Sequence, residues 1–191
     1  METSNSIKAM AKKGGSFEWR VPADLEENLS TTAREKSVSK VISQGGVRAG
    51  AILQGAFLPE VLQDIIKVSQ KSFKTPKFKG VGIELGAGLG LLGIVSAEPP
   101  EVEALISMEI CRTFVMDAIP AAAKELLGGN SNKIIPTYGS FEDYEIADGE
   151  IDFAVQIESL HHSYDLKKAA EELFRILKPG GFLYSLDRSH P

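Results

Sequence analysis

Val81-Gly-Ile-Glu-Leu-Gly-Ala-Gly-Leu-Gly90 constrains the fold more than any other stretch of this 191-residue chain. Val81, Ile83 and Leu85 alternate as in a short buried strand, glycines follow at 86, 88 and 90, and Leu91-Leu-Gly-Ile-Val95 opens a helix. A strand running through a glycine loop into a helix N-terminus makes a cradle for a nucleotide-like ligand. Glycine lets backbone approach the ligand with no Cβ between them, and the first helical turn presents free N–H groups. Glu84 lies inside the motif, and Glu109 ends the next apolar run, Ala104-Leu-Ile-Ser-Met108. This pair of acids separates the possible ligands.

Two glycine fingerprints overlap here. Gly88-Leu-Gly90-Leu-Leu-Gly93 fits G-x-G-x-x-G, the dinucleotide signature, with Glu109 close to where the ribose acid belongs. Taken from Glu84, the same stretch is E-x-G-x-G-x-G, which resembles motif I of the class I S-adenosylmethionine-dependent methyltransferases. The glycines by themselves leave both ligands open.

Residues further along favour the second resemblance. Asn132 to Tyr138 reads as a third strand, and Gly139-Ser-Phe-Glu-Asp143 resembles the family's adenine-contact loop. Ile151 to Ile157 is a fourth strand that begins with an acid. The Glu158-Ser-Leu-His-His-Ser-Tyr-Asp165 that follows resembles the family's motif IV region, its His-His pair being similar to the branch that methylates ubiquinone and menaquinone precursors. Asp165 caps a helix with Leu166, Ala169, Ala170, Leu173 and Leu177 on one face, and Leu177-Lys-Pro-Gly-Gly181 turns into a fifth strand, Phe182 to Leu186. Leu-Lys-Pro-Gly-Gly at this place is similar to a frequent landmark of the superfamily. Five landmarks in order span about residues 79 to 187.

The resemblance implies an α/β, Rossmann-like, doubly wound parallel sheet in the order 3-2-1-4-5. Its strands are expected near 81–85, 104–108, 134–138, 151–157 and 181–187. Residues 1–78 are expected to form an N-terminal helical cap or lid, and residues 79–191 the cofactor-binding core. The implied chemistry is in-line displacement at the sulfonium methyl of S-adenosylmethionine, with S-adenosylhomocysteine as product. In that scheme Gly86, Gly88 and Gly90 pass under the ribose and methionine moieties, and Glu84 helps fix the amino end or caps the N–H groups that follow. Glu109 accepts both ribose hydroxyls, Ile110 and Phe141 flank the adenine, and Ile157 and Glu158 close the cofactor site. Ser140 stands where the family commonly has an aspartate, so the adenine amino group is left to its hydroxyl or to Glu142.

His161 and His162 are the acid–base candidates, since imidazole titrates near neutral pH and can take a proton from a phenol, enol or carbon acid. With Glu158 they make only three ligands in one loop at no recognised spacing, so no metal is expected. An NAD(P)-dependent oxidoreductase is the alternative. It requires a hydride-positioning pair such as Tyr-x-x-x-Lys, and Tyr164-Asp-Leu-Lys-Lys168 has that spacing, although Asp165 opening a helix there suits the methyltransferase layout better. A non-catalytic cofactor-binding module is a third reading.

Composition fits one small enzyme domain. Hydrophobic residues make up 43% of the chain, enough for a sizeable core. The single cysteine, Cys111, rules out an internal disulfide framework and a Cys-rich zinc site. No apolar run approaches the roughly 18 residues of a membrane span. The first residues lack a signal-peptide core, which makes the cytoplasm the expected location. Residues 1–80 hold 13 Lys+Arg against 8 Asp+Glu, a net of +5, and residues 81–191 hold 8 against 18, a net of −10. A basic segment of this kind either recruits an anionic partner or lies as a solvated cap over an acidic core; the cap is the simpler reading. No aromatic interleaving supports nucleic-acid stacking, so no nucleic-acid partner is expected; the resemblance implies a small-molecule acceptor.

The first 55 residues look irregular and polar, with Ser16-Phe-Glu-Trp-Arg-Val21 a short strand or a loop with a buried Trp19. From Phe57 the period becomes helical, with Leu58, Val61, Leu62, Ile65 and Ile66 on one face and Pro59 in the first turn. After the fifth strand only Asp187-Arg-Ser-His-Pro191 remains, where a complete class I core continues into two more strands. This ending reads as a truncated core whose fifth strand is an edge, open to a homodimer contact, with acceptor contacts missing.

Overall fold

In the computed structural model residues 6–22 and 33–187 are described. The chain forms α1 (Ser6–Lys13), β1 (Phe17–Glu18), α2 (Ala33–Gly45), α3 (Val47–Gln54) and α4 (Pro59–Ser72) before the glycine motif. There follow β2 (Gly80–Leu85), α5 (Leu91–Ser96), β3 (Val102–Glu109), α6 (Ile119–Leu127), β4 (Ile134–Tyr138), β5 (Ile151–Ile157), α7 (Leu166–Ile176) and β6 (Leu177–Leu186). A wide π turn, Phe114–Ala118, leads into α6.

Six strands make one parallel sheet in the order β1-β4-β3-β2-β5-β6. Counting from the glycine strand, this is the expected 3-2-1-4-5 with one strand added outside. The addition is β1, two residues that pair with Thr137 and Tyr138 of β4. Residues 17–18 carry too short an apolar signal to be told from a loop, so the sequence left both readings open. Trp19 does lie buried, with its N–H donating to Tyr138 O at 2.8 Å.

Both faces of the sheet are covered, so the central strands are buried along most of their length, with the polar Glu84, Ser107 and Gln156 included. Five residues of β2, Val81 to Leu85, are buried, and Ile83 stands between Ile106 of β3 and Ala154 of β5. One apolar layer joins α2, α3, α4, α5 and α6 to Phe153 and Val155. The other packs Ile7 of α1 and Leu173 and Ile176 of α7 against Ile83, Leu85 and Ile106. Residues before and after position 79 therefore share a core.

Four details differ from the sequence reading. Residues 1–55 were expected to be irregular, yet α1, α2 and α3 are helices within that span. Their burial is sparse: Val38 and Ile42 of α2, and Val47 and Ala51 of α3, carry the packing, too few to make a clear period. In α7 the buried residues are Ala169, Leu173 and Ile176, whereas Leu166 is 59% exposed and Ala170 also faces solvent. The buried stripe there is narrow, at i, i+4 and i+7. Leu177, taken as helical, instead starts β6, which runs through the Lys-Pro-Gly-Gly stretch to Leu186. In α4, Leu62 and Ile66 are buried and Pro59 occupies the first turn, as the period implies, while Val61 is 40% exposed.

Candidate functional site

The carboxyl ends of β2, β3, β4 and β5 open into one cavity of about 600 Å³, a size typical of small-ligand sites. It lies at the switch between β3-β2 and β5, where sheet order reverses. Residues from the α3–α4 connection, Ala56 and Phe57 among them, form its further wall with Leu62.

The glycine loop is built by backbone conformation. Gly86, Gly88 and Gly90 have φ of 63°, 54° and 75°, a left-handed region that side chains other than glycine adopt at a cost of about 1–2 kcal/mol. A Cβ on Gly86 would stand 2.6 Å from Ser159 Cβ, so glycine there admits the β5 loop. A Cβ on Gly88 would meet nothing within 4 Å: this residue faces open cavity. Gly90 caps α5, and Ala87 N–H donates to Met108 O at 2.9 Å, which ties the loop to β3.

Glu84 is 2% exposed and sits under this loop. Its carboxylate accepts from Gly93 N–H at 2.9 Å and from Ser107 Oγ at 2.8 Å. Burial pushes its pKa up to about 7; the Gly93 and Ser107 bonds oppose the rise and neighbouring Glu109 adds to it. A Cβ on Gly93 would come 2.4 Å from Glu84 Oε2. Gly93, the last glycine of the apparent dinucleotide fingerprint, is thus a packing requirement of Glu84. The overlap of the two fingerprints has a local structural cause.

Glu109, at the end of β3, is 8% exposed and lines the cavity. Its Oε2 accepts from Gly88 N–H at 2.6 Å, and its Oε1 accepts from Ile110 and Cys111 N–H at 2.8 and 2.9 Å. Three backbone donors therefore aim one carboxylate across the glycine loop. Ile110 and Phe141 are half-buried on the same wall.

After β4, Ser140 is 3% exposed, and its Oγ has no hydrogen-bond partner among the described residues. A buried hydroxyl left unsatisfied costs about 1–3 kcal/mol. Glu142 Oε1, by contrast, accepts from Tyr164 and Asp165 N–H at 2.9 and 3.3 Å, so its position is fixed by the β5–α7 loop. The orphan hydroxyl, the open face of Gly88 and the preset Glu109 together suit a ligand with an amino-bearing base and a diol. The residues fit S-adenosylmethionine.

On the β5 side, Ile157 and Glu158 line the cavity, and Glu158 is one of two described non-glycine residues with positive φ, at 50°. His161 and His162 are separated by the structure. His162 lines the cavity, while His161 Nδ1 pairs with Asp187 Oδ1 at 2.8 Å and lies outside the lining. The two rings are 4.0 Å apart. Among the described residues no group of three or more His, Cys, Asp or Glu side chains is arranged to hold a metal ion. Asp165 caps α7 by accepting from Lys168 N–H at 3.0 Å, which puts Lys168 into a helix start. Sequence reasoning missed Phe57, Ser159 and Tyr164 as lining residues. Only the helical period around Leu62 hinted at the α4 wall; a loop serine or an exposed tyrosine carries no such signal.

Comparison with known proteins shows residues 83–185, just over half of the chain, matching a family described as a methyltransferase domain. Among solved structures, one described as a candidate S-adenosyl-L-methionine-dependent methyltransferase from Methanococcus maripaludis aligns with a TM-score of 0.58 at 19% identity. That match covers 83% of this chain and 66% of the other. A candidate methyltransferase from Bacillus halodurans gives 0.55 at 18% identity, covering 68% and 52%. The [4+2]-cyclase SpnF gives 0.51 at 22% identity, covering 65% and 44%. At these identities the likeness is one of fold, and this chain spans two thirds or less of the length of each of the three.

Proposed function

The chain belongs to the methyltransferase domain family, and on that premise we propose that it transfers a methyl group from S-adenosylmethionine to a small molecule. The observation that carries the reading is Glu109, held by three backbone N–H groups and facing the open side of Gly88. A carboxylate so placed accepts a ribose diol with no reorganisation of its own.

When bound, the cofactor supplies a methyl already activated by its sulfonium, so the protein's work is positioning and exclusion of water. Glu109 holds the ribose. Ile110 and Phe141 flank the adenine, and the Ser140 hydroxyl takes up its amino group. Gly86, Gly88 and Gly90 carry the backbone beneath the chain of the cofactor, and Glu84 lies toward its amino end. Ile157 and Glu158 close the site from β5. His162 reaches the cavity and receives the acceptor's proton, while His161, fixed by Asp187, packs against its ring.

No described helix is long and apolar enough to cross a membrane; a cytoplasmic setting is part of the same proposal. β6, an edge strand with Leu183 and Leu186 each more than a third exposed, supports pairing with a second copy. The deciding experiment is thermal unfolding with S-adenosylmethionine, S-adenosylhomocysteine, NAD and NADP. At 100 times its Kd a ligand adds about 2.7 kcal/mol. Stabilisation by the two sulfur nucleosides alone supports the reading, and stabilisation by NAD or NADP overturns it.

A further inference from the structure

We infer that Gln156 is a positioning residue that clamps the β5 loop, with Glu158 and His162, onto the glycine loop, and so sets the amino-acid end of the cofactor site. This rests on the cofactor reading above.

Gln156 is the penultimate residue of β5, and its side chain is fully buried in a strand otherwise apolar from Phe153 to Ile157. Burying a primary amide is costly unless its bonds are made. Here Oε1 accepts from Ser159 N–H at 3.1 Å and from Leu160 N–H at 3.4 Å, and Nε2 donates to Ser185 Oγ of β6. The amide orientation follows from chemistry, because a flipped NH₂ would face the Ser159 N–H, donor against donor. Ser159 Oγ lies 2.6 Å from Leu85 O and 3.0 Å from Gln156 Oε1, and its one proton is shared between them.

Ser159 therefore bridges two strands. Leu85 O is the last carbonyl of β2, immediately before the glycine loop, and the Gly86 backbone passes so near Ser159 that no Cβ fits between. The same bridge holds the residues on either side. Glu158 keeps its positive φ with its own N–H donating to Leu186 O at 2.8 Å and the next N–H donating to Gln156. Backbone strain of this kind persists only where surrounding contacts over-determine it. His162 N–H donates to Ser159 O at 2.9 Å, so the cavity histidine takes its height from Ser159. Gln156 is thus the buried end of a chain that runs through Ser159 to Gly86 on one side and to His162 on the other.

A clamp on the amino-acid end predicts selective loss. Calorimetry on Gln156→Met, Gln156→Glu and Ser159→Ala, well below the unfolding of each, would compare S-adenosylhomocysteine with 5′-methylthioadenosine, which lacks the amino-acid arm. In Gln156→Met the Kd for S-adenosylhomocysteine should rise about tenfold and that for methylthioadenosine less than about twofold. Gln156→Glu keeps the accepting oxygen and should return S-adenosylhomocysteine binding to within about threefold of the parent. Ser159→Ala should show the same selectivity, more weakly. Equal loss of both ligands, or no loss, in a folded Gln156→Met overturns the clamp; if that variant does not fold, the same outcome in Ser159→Ala does so. If the parent protein binds neither nucleoside, the cofactor reading itself fails, and the clamp with it.

Discussion

Glu84 and Gly93 are nine residues apart and joined by a 2.9 Å hydrogen bond from the Gly93 amide to the buried carboxylate. The bond spans the whole glycine loop, linking the end of β2 to the middle of α5. It holds a group whose pKa burial raises from 4.5 to about 7. The folded state therefore prefers Glu84 protonated. Its contribution to stability is fully present below pH 4.5 and is lost as pH rises through about 7; a shift of this size corresponds to roughly 3 kcal/mol.

The first prediction is a pH signature. Glu84→Gln keeps an oxygen for the Gly93 N–H and an amide for Ser107 Oγ but cannot ionise. The stability gap between this variant and the parent protein should widen in the variant's favour from pH 5 to pH 8, by a few kcal/mol. Urea unfolding at several pH values measures it. Over the same range S-adenosylhomocysteine should bind the parent more tightly as Glu84 ionises and pairs with the ligand's ammonium. In Glu84→Gln that trend should vanish.

Glu109 gives the second. Glu109→Ala removes the two charge-assisted bonds proposed to the ribose and also takes their acceptor from the Gly88, Ile110 and Cys111 amides. S-adenosylhomocysteine binding should weaken by about 2–3 kcal/mol, and Glu109→Gln should lose less because one amide oxygen still accepts. Equal affinities by calorimetry would make Glu109 a backbone cap with no ligand role.

How much of this was legible depends on the range of the signal. β2, β4 and β5 were readable nearly to the residue because each is a short, mostly apolar segment with Val or Ile, set between turn residues. The Asp165 cap was readable because capping is local. Pairing of β1 with β4 and the helices α1 to α3 were not, since two residues or a sparse stripe carry no period. Gly93 was misleading in a specific way: its spacing fits a dinucleotide loop, but its cause is the Glu84 carboxylate, which only the fold brings beside it. Likewise nothing in adjacent histidines says that His162 lines the cavity while His161 pairs with Asp187.

The third prediction separates two glycines with one backbone conformation. Gly86→Ala places a methyl into Ser159 and also forces alanine into the left-handed region, so the fold should lose well over 2 kcal/mol. Gly88→Ala has the same backbone cost of about 1–2 kcal/mol but no clash. Its methyl enters the space assigned to the ligand. Gly88→Ala should therefore fold, with a modest drop in Tm, and bind S-adenosylhomocysteine at least about tenfold more weakly. Similar Tm losses in the two variants, with binding intact in Gly88→Ala, would remove the glycine loop from the cofactor site.

Ser140 supplies a prediction in which stability and binding move in opposite directions. Its hydroxyl is buried with no described partner, so the ligand-free protein bears the cost of desolvating it. Ser140→Ala deletes that cost and leaves a methyl in a wall already shared with Phe141, so the ligand-free protein should become more stable by about 1 kcal/mol. If the hydroxyl meets the adenine amino group, the same change should weaken S-adenosylhomocysteine by about 1 kcal/mol, because the bond formed on binding is lost. Ser140→Asp should behave in reverse: a carboxylate beside Glu142 and Glu109 destabilises the empty protein, yet accepts the amino group more strongly. Thermal unfolding with and without ligand reads both signs in one experiment. A Ser140→Ala protein that is less stable when empty and binds as before would show the hydroxyl to be a structural contact and would return the adenine end to Glu142 and Phe141.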